Sequence, residues 1–259
     1  MTVAQALRDG GADARLLLAA ASGFSQASLV AYPEVELPLE VEEKFRQFLS
    51  RRENGEPAAY ILGRKEFYGL ELAVNPAVLI PRPETELLVE LALQRDFSSV
   101  LDLGTGSGAI ALAIKRHRPQ ARVVAVEASA AALEVAKRNC VRLGLDIELR
   151  HGRWFEPLTG ERFDLVVSNP PYVAAGDPHL AALGFEPAAA LVSGADGLDD
   201  IRQIARGARR HLRPGASLLV EHGQGQDAPV RRLLIEGGLD SVATWPDLAG
   251  IPRVTGGKG

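Results

Sequence analysis

Cysteine is nearly absent from this sequence: Cys140 is the single one among 259 residues. One thiol excludes an internal disulfide and any metal site made of several cysteines. The 5 histidines show no HExxH spacing, which would bring two imidazoles to one helix face. We therefore expect no metal in this protein, and we expect Cys140 to be a small core residue.

Long apolar runs and a strong excess of one charge are also lacking. No stretch reaches the roughly 18 consecutive apolar residues that a membrane helix requires, and the N-terminus carries charges where a signal peptide is apolar. The net charge of -4 gives no general attraction to phosphates. We therefore expect a cytoplasmic protein that binds neither a membrane nor nucleic acid directly, with a monomer as the default state.

Hydrophobic periodicity divides the chain into parts. Residues 1–62 predict a bundle of short helices, because apolar side chains recur at the spacing of one helix face, as in Val41, Phe45, Phe48 and Leu49. The stretch "KEFYGLELAVNPAVLIPRP" alternates in part around Gly69, with the turn signal "NP" after it. This pattern predicts a β-hairpin that links two domains over residues 63–82.

Residues 83–259 alternate between strand and helix patterns. Strands are predicted at "SSVLDLG", "ARVVAVE", "DIELRHG", "FDLVVSN" and "GASLLVEHG", with helices between them and two strands at the end. Repeated β-α-β units imply a parallel sheet covered by helices on both faces. The fold class is therefore α/β and Rossmann-like, preceded by a small all-α bundle.

The motif "LDLGTGSGAIAL" joins the first strand of this domain to the helix that follows. Gly104, Gly106 and Gly108 fall in the turn, where missing side chains let the backbone approach a ligand closely. The start of the helix adds free amides. A tight turn without a ligand is the alternative interpretation.

An acidic residue, Glu127, ends the second strand of the domain. A carboxylate at this point can accept hydrogen bonds from the two hydroxyls of a ribose. An exposed carboxylate near a helix start is the plainer alternative. Together with the glycine turn, Glu127 indicates an adenosine derivative, either a nicotinamide dinucleotide or S-adenosylmethionine.

The motif "NPPY" ends the fourth strand, at the carboxyl edge where open α/β sheets bind ligands. A planar nitrogen is a poor nucleophile, so a methyltransferase must hold its NH2 group with two acceptors. The side-chain oxygen of Asn169 and the main-chain carbonyl of Pro170 can accept, Pro170 and Pro171 stiffen the loop, and Tyr172 can stack on the plane. A rigid turn is the alternative, but the motif favours a methyltransferase over a hydride-transfer enzyme.

With these motifs the chain resembles the HemK/PrmC-like release-factor glutamine methyltransferases over most of its length. The resemblance is carried by "RRENGEPAAYILGRKEFYGL", "LIPRPETELLVE", "LDLGTGSGAIAL", "GRWFEPL", "SNPPYV", "FEPAAALVSGADGL", "EHG" and "IPRVTGGK". "NPPY" alone is shared with adenine-methylating and other amine-methylating enzymes. "IPRPET" and the run from "FEP" to "GADGL" are much more specific.

The resemblance implies a bundle that recognises the partner, a hairpin linker, and a seven-stranded methyltransferase domain whose last strand is antiparallel. It implies S-adenosylmethionine as the methyl donor, S-adenosylhomocysteine as the product, and no metal. The acceptor it implies is the side-chain amide nitrogen, N5, of the glutamine in the Gly-Gly-Gln loop of class 1 peptide chain release factors.

The resemblance also assigns site residues. The cofactor residues it implies are Gly104, Thr105, Gly106, Ser107, Gly108, Glu127, Trp154 and Asn169, with Leu79, Arg82 and Glu84 beside the cofactor. The substrate and catalytic residues it implies are Asn169, Pro170, Pro171 and Tyr172. Two departures stand out: many relatives have Asp in place of Glu127, and not all have Trp154, which could instead be a half-buried anchor for its loop.

Other functions compete with this interpretation. Adenine presents the same planar NH2 group, so an adenine-N6 or other nucleic-acid amine methyltransferase is the alternative enzyme. A continuous basic groove leading to Asn169 would favour that alternative. A nicotinamide oxidoreductase and a non-catalytic module that binds an adenosine ligand are the remaining candidates.

Overall fold

Residues 1–259 are all described by the computed structural model. Contacts along the chain divide it into two units, Met1–Arg64 and Lys65–Gly259. None of the helices in either unit has both the length and the apolar character that crossing a membrane requires.

The first unit is helical, as the sequence predicts. It contains α1 (Val3–Asp9), α2 (Ala14–Ser22), α3 (Gln26–Ala31), α4 (Leu39–Glu53) and α5 (Ala58–Leu62). The start of α1 is fixed by a capping box in which Thr2 and Gln5 bond each other's backbone amides. These short helices bury one shared apolar core, whose largest members are Leu17, Leu18, Leu29 and Phe45.

A β-hairpin follows inside the stretch 63–82, as the sequence predicts, and its strands occupy only the first part of that stretch. Its strands are β1 (Arg64–Phe67) and β2 (Leu70–Ala73). The chain reverses at Tyr68 and Gly69, with φ of 49° and 75°, because a two-residue hairpin turn of this hand needs positive φ at both positions. Asn75 makes a separate turn beyond β2, where its side-chain oxygen accepts a hydrogen bond from the amide of Ala77.

The second unit contains a seven-stranded, mostly parallel sheet, in agreement with the expected fold class. Its strands are β3 (Ser99–Leu103), β4 (Arg122–Glu127), β5 (Glu148–His151), β6 (Phe163–Ser168), β7 (Leu212–Glu221), β8 (Asp240–Pro246) and β9 (Pro252–Lys258). Their order is β5-β4-β3-β6-β7-β9-β8, and only β9 runs antiparallel to its neighbours. The order changes direction between β3 and β6, so the crevice for a ligand lies at the carboxyl ends of these two strands.

Helices cover both faces of this sheet. They are α6 (Glu86–Leu93), α7 (Ala109–His117), α8 (Ala130–Leu143), α9 (Asp199–His211) and α10 (Asp227–Glu236). Alternate residues of the central strands enter two different cores: Val100 packs with α7, whereas Leu101 packs with α9. Burial on both faces explains why the strand sequences are almost continuously apolar.

The loop after β6 is fixed by the chain that precedes α9. Val173 forms a bridge with Val192, and its amide donates a hydrogen bond to the carbonyl of Leu191. Gly197, with φ of 78°, lies against the same loop: a Cβ atom there would stand 2.2 Å from the carbonyl oxygen of Tyr172. Gly197, the second glycine of "GADGL", is therefore required so that the loop carrying "NPPY" can pack closely.

Replacing this glycine tests that packing. Gly197→Ala and Gly225→Ala share a φ of 78° at the substituted residue, but a Cβ atom at Gly225 meets nothing within 4 Å. The backbone strain is therefore matched, and only Gly197→Ala adds a clash. We expect Gly197→Ala to lower the free energy of unfolding by about 1–3 kcal/mol more than Gly225→Ala. Equal losses in urea unfolding would show that this close approach does not constrain the loop.

Candidate functional site

A cavity of about 390 Å³ lies at the carboxyl ends of β3, β4 and β6. Its volume is within the range of pockets that hold a small molecule or cofactor. Four loops supply most of its wall: the glycine turn after β3, the segment after β4, the loop after β5 and the loop after β6. The segment between the hairpin and α6 supplies the remaining side, through Ala77, Val78, Leu79, Pro81, Arg82 and Thr85.

The glycine turn contributes Gly104, Thr105, Gly106 and Ser107 to the cavity wall. Gly106 has φ of 56°, and a Cβ atom added to it would meet no protein atom within 4 Å, so the backbone here faces open space. Gly108 is absent from the wall. It starts α7 with φ of 85°, and a Cβ atom there would stand 3.0 Å from Leu112, so its role in the structure is helix packing.

Glu127 lines the cavity and connects the glycine turn to the segment after β4. One carboxylate oxygen accepts a hydrogen bond from the amide of Gly106 at 2.8 Å, and the other accepts from the amide of Ser129 at 2.8 Å. A carboxylate offers about four acceptor positions. The side chain therefore keeps free lone pairs for two hydroxyl donors while it fixes the turn.

Trp154 lines the same cavity with its ring edge over the glycine turn, 3.1 Å from the position of a Cβ atom on Gly104. Its backbone has φ of 48°, which is uncommon for a large residue. The indole N–H is buried without a hydrogen-bond partner. The ring thus supplies an aromatic surface to the cavity wall.

The residues present fit an adenosine cofactor. The cavity has the volume, a backbone that faces open space at Gly106, a carboxylate with spare acceptor positions in Glu127 and an aromatic wall in Trp154. Asp102 lies beneath the turn, fully buried, with one oxygen accepting from the hydroxyl of Thr105 and the other unpartnered. Burial raises the pKa of Asp102 to about 7.

Asn169 projects into the cavity at the end of β6. Its side-chain NH2 group donates a hydrogen bond to the hydroxyl of Thr85 at 3.1 Å, and its side-chain oxygen accepts none within the chain. The carbonyl of Pro170 likewise accepts no hydrogen bond in the loop. Two acceptors on neighbouring residues therefore have no donor within the chain, and Asn169 brings one of them to the cavity wall.

The other residues of "NPPY" occupy different environments. Pro171 lines the cavity together with Asn169, whereas Pro170 is buried. Tyr172 is half-buried and packs against the core beneath α9, with its hydroxyl 3.4 Å from a carboxylate oxygen of Glu221. Burial and the charge of Glu221 raise the pKa of Tyr172 well above its ordinary value, so its hydroxyl is a neutral donor.

The segment "LIPRPE" reaches the cavity in part. Leu79 and Arg82 line it, whereas Glu84 is exposed and lies outside its wall. Arg82 is paired with Glu186, and Glu186 also accepts a hydrogen bond from the amide of Ile80 at 2.9 Å. The carboxylate of "FEP" therefore ties this segment to the loop that follows "NPPY".

Basic residues do not form a groove leading to Asn169. The charged residues of the cavity wall are Arg82, Glu127, Arg153 and Asp200, and each arginine is ion-paired. Five arginines do surround a surface concavity, namely Arg162, Arg206, Arg209, Arg210 and Arg213. Because Arg162 precedes β6 and Asn169 follows it, that concavity lies at the opposite end of the strands.

Several residues of the site were given no role by sequence reasoning. Thr85, Glu186 and Glu221 fall inside quoted motifs, but nothing in their spacing reveals a contact with "NPPY". Gln226 lies just beyond "EHG", and its side-chain NH2 group donates to the carbonyl of Tyr172 at 3.0 Å. The one signal was positional, since Glu221 ends a strand next to β6 at the same edge of the sheet.

Comparison with known sequences finds relatives over almost the whole chain. Residues 83–194 match the family described as "Methyltransferase small domain", and residues 3–63 match "PrmC N-terminal domain". A protein of Xylella fastidiosa named "Release factor glutamine methyltransferase" is 52% identical over 95% of this chain and 92% of its own length. A protein of Pseudomonas aeruginosa with the same name is 51% identical, over 95% and 91%.

Solved structures resemble the fold at lower identity. A methyltransferase from Pyrococcus furiosus superposes with a TM-score of 0.59 at 20% identity, covering 82% of this chain and 97% of that one. A 16S rRNA N2 methyltransferase of T. thermophilus, solved in complex with AdoMet and guanosine, gives a TM-score of 0.56 at 25% identity, covering 75% and 49%. The similarity to the first of these extends to the fold alone.

The buried carboxylate of Glu221 makes stability depend on pH. Burial raises the pKa of Glu221 to about 7, far above its usual 4.5. The folded state therefore binds the proton more tightly than the unfolded state, and its contribution is lost as pH rises from 4.5 through 7. Relative to Glu221→Gln, the wild type should lose about 3 kcal/mol of unfolding free energy between pH 4.5 and 8. Parallel urea-unfolding profiles for the two proteins would contradict a raised pKa.

Proposed function

This chain belongs to the family of the release factor glutamine methyltransferases, and we propose that it methylates a glutamine side chain. The acceptor is the amide nitrogen, N5, of the glutamine in the Gly-Gly-Gln loop of class 1 peptide chain release factors. The methyl donor is S-adenosylmethionine, and the products are N5-methylglutamine, S-adenosylhomocysteine and the proton that the amide nitrogen loses. The relatives at about half identity, over nearly their full length, support this reaction.

One observation carries the proposal: the side chain of Asn169 lines a cofactor-sized cavity, and its oxygen and the carbonyl of the next residue, Pro170, are acceptors that no donor of the chain uses. A primary amide offers two N–H donors in one plane. Two adjacent acceptors bind both donors and so fix the plane and the position of the nitrogen. Binding of a nicotinamide cofactor alone would leave this pair without a function.

Catalysis by this chain is then mainly positioning. Bound S-adenosylmethionine supplies an electrophilic methyl group, and the N–C bond forms as the S–C bond breaks. Asn169 and Pro170 hold the nitrogen in line with that group, and such alignment is worth on the order of 7–11 kcal/mol in favourable cases. Their hydrogen bonds strengthen as positive charge develops on the nitrogen, which stabilises the transition state over the bound substrate.

The cofactor residues follow from the cavity wall. The turn from Gly104 to Ser107 offers its backbone to the methionine part, Glu127 accepts from the ribose hydroxyls, and Trp154 packs on the adenine. Leu79 and Arg82 border the same space. Because Gly108 and Glu84 lie outside the wall, we assign them no contact with the cofactor.

The remaining parts of the proposal concern the partner. We assign recognition of the release factor to residues 1–62, the linker to residues 63–82 and catalysis to residues 83–259. We further propose that the protein acts as a monomer in the cytoplasm. The division of the chain into the compact units Met1–Arg64 and Lys65–Gly259 supports this assignment.

Transfer of labelled methyl groups tests the reaction. Purified protein, labelled S-adenosylmethionine and a class 1 release factor should give a labelled release factor, and replacing the loop glutamine by alanine should abolish labelling. Asn169→Ala should lower kcat by roughly 100-fold or more, because it removes an acceptor that acts in the transition state. Cofactor affinity, measured by calorimetry, should change far less than kcat.

Two results would contradict the proposal. Label that persists after the glutamine is replaced would assign another acceptor, and labelled nucleic acid in a parallel reaction would favour the amine methyltransferase of nucleic acids. Transfer at the wild-type rate by Asn169→Ala would show that the two acceptors do not hold the amide.

A further inference from the structure

Behind Asn169 lie two buried polar side chains that the mechanism above does not use. Thr85 is 4% exposed and Glu221 is 1% exposed. Thr85 immediately precedes α6, and Glu221 is the last residue of β7, the strand beside β6. Polar groups this deeply buried are expected to have hydrogen-bond partners. Thr85 has Asn169 as a partner, and Glu221 has the hydroxyl of Tyr172.

The contacts form a chain from a carboxylate to the cavity. The NH2 group of Asn169 donates to the hydroxyl of Thr85 at 3.1 Å. The hydroxyl of Thr85 in turn faces the side chain of Glu221, where it counteracts the effect of burial on the pKa of that carboxyl group. The hydroxyl of Tyr172 lies 3.4 Å from the same carboxylate, whose other oxygen is buried without a partner.

The donors and acceptors that each side chain offers determine which group donates in each of these contacts. An ionised carboxylate can only accept, so Thr85 must direct its single hydrogen to Glu221. The oxygen of Thr85 is then left as an acceptor toward Asn169. Asn169 must therefore present its NH2 group to Thr85, and its oxygen must face the cavity.

The opposite orientation of Asn169 would defeat the proposed function. With the carboxamide turned over, an NH2 group would face the cavity, and it could not accept a hydrogen bond from the substrate amide. Its oxygen would also meet the oxygen of Thr85, whose hydrogen is already directed elsewhere. An asparagine has little intrinsic preference between these two orientations, so the selection must come from its neighbours.

We propose that Thr85 and Glu221 are positioning residues that select the orientation of the Asn169 carboxamide, so that its oxygen faces the substrate. This inference rests on the proposed function for its catalytic consequence. Neither residue touches the reacting atoms. Glu221 accepts the hydrogen of the Thr85 hydroxyl, and the oxygen of Thr85 then accepts from the NH2 group of Asn169.

The charges around Glu221 determine the pH range in which its carboxyl group is ionised. Arg253 from β9 favours the ionised form, whereas burial and Glu84 oppose it, and the pKa of Glu221 is raised to about 7. Tyr172 faces it as a neutral donor. Because Glu221 is mostly ionised at pH 8, the measurements below are made at that pH, where its carboxylate can only accept hydrogen bonds.

Substitutions at Thr85 separate positioning from packing. Thr85→Val keeps the shape but removes the hydroxyl, and we expect kcat for release-factor methylation to fall about 10- to 100-fold. Thr85→Ser restores the hydroxyl and should return most of that loss. Affinity for S-adenosylmethionine, measured by calorimetry, should stay within about threefold, because the cofactor contacts are kept.

A matched control exists at the other end of the sheet. Ser99 is also 4% exposed, and its hydroxyl donates to Asp164 at 2.9 Å, at the amino end of β3. Ser99→Ala removes a hydroxyl that is as buried as that of Thr85, but it does not affect Asn169. The kcat of Ser99→Ala should therefore equal that of the wild type. A wild-type kcat in Thr85→Val would overturn the inference.

A second measurement does not depend on catalysis. Exchange of the Asn169 side-chain NH2 protons, followed by NMR after assignment through Asn169→Asp, should be slowed in the wild type by the bond to Thr85. Exchange should be faster by about tenfold or more in Thr85→Val and Glu221→Ala, and slow again in Thr85→Ser. Unchanged exchange in Thr85→Val would overturn the inference.

The two measurements also separate the inference from the function. If the wild type failed to methylate the release factor, the proposed function would be contradicted, while the exchange rates would still decide the orientation of Asn169. Should Thr85→Val not fold, Thr85→Ala provides the same loss of hydroxyl with less demand on space. Equal exchange in Thr85→Ala and the wild type would then overturn the inference.

Discussion

The site depends on one hydrogen-bond acceptor, the side-chain oxygen of Asn169, being held in a fixed orientation at the carboxyl end of β6. The side-chain oxygen of Asn169 is left unused because the NH2 group on the same carboxamide is bound to Thr85. The carbonyl of Pro170 adds a second acceptor that no donor of the chain occupies. An amide nitrogen is a weak nucleophile, so its chemistry depends on holding it at a defined place, which this pair can do.

The fold supports that constraint from both sides. The change of strand order between β3 and β6 brings the glycine turn and Asn169 to the same crevice. Gly197 allows the loop after β6 to pack closely, and Gln226 binds the carbonyl of Tyr172. The ion pair of Arg82 with Glu186 joins the opposite wall to this loop. The acceptors are thus held by rigid surroundings, as precise positioning requires.

Much of this arrangement could be predicted from the sequence, because it follows from local rules. The buried strands that lead into "LDLGTGSG" and "SNPPY" predict that these two motifs lie at the same edge of the sheet, and the glycine turn could be located from the sequence alone. The contacts of Thr85 and Glu221 could not be predicted, since they join residues far apart in the sequence through side-chain geometry. Glu84 shows the same limit: it is adjacent to Thr85, but the 3₁₀ turn directs it to solvent and Thr85 inward.

The most direct test of the account is a crystal structure of the protein with S-adenosylhomocysteine and a peptide that contains the Gly-Gly-Gln sequence. We expect the glutamine amide nitrogen to lie about 3 Å from both the Asn169 side-chain oxygen and the Pro170 carbonyl oxygen, and to face the cofactor sulfur. A glutamine bound with its carbonyl oxygen toward Asn169, or held outside the cavity bordered by Gly106, would contradict it.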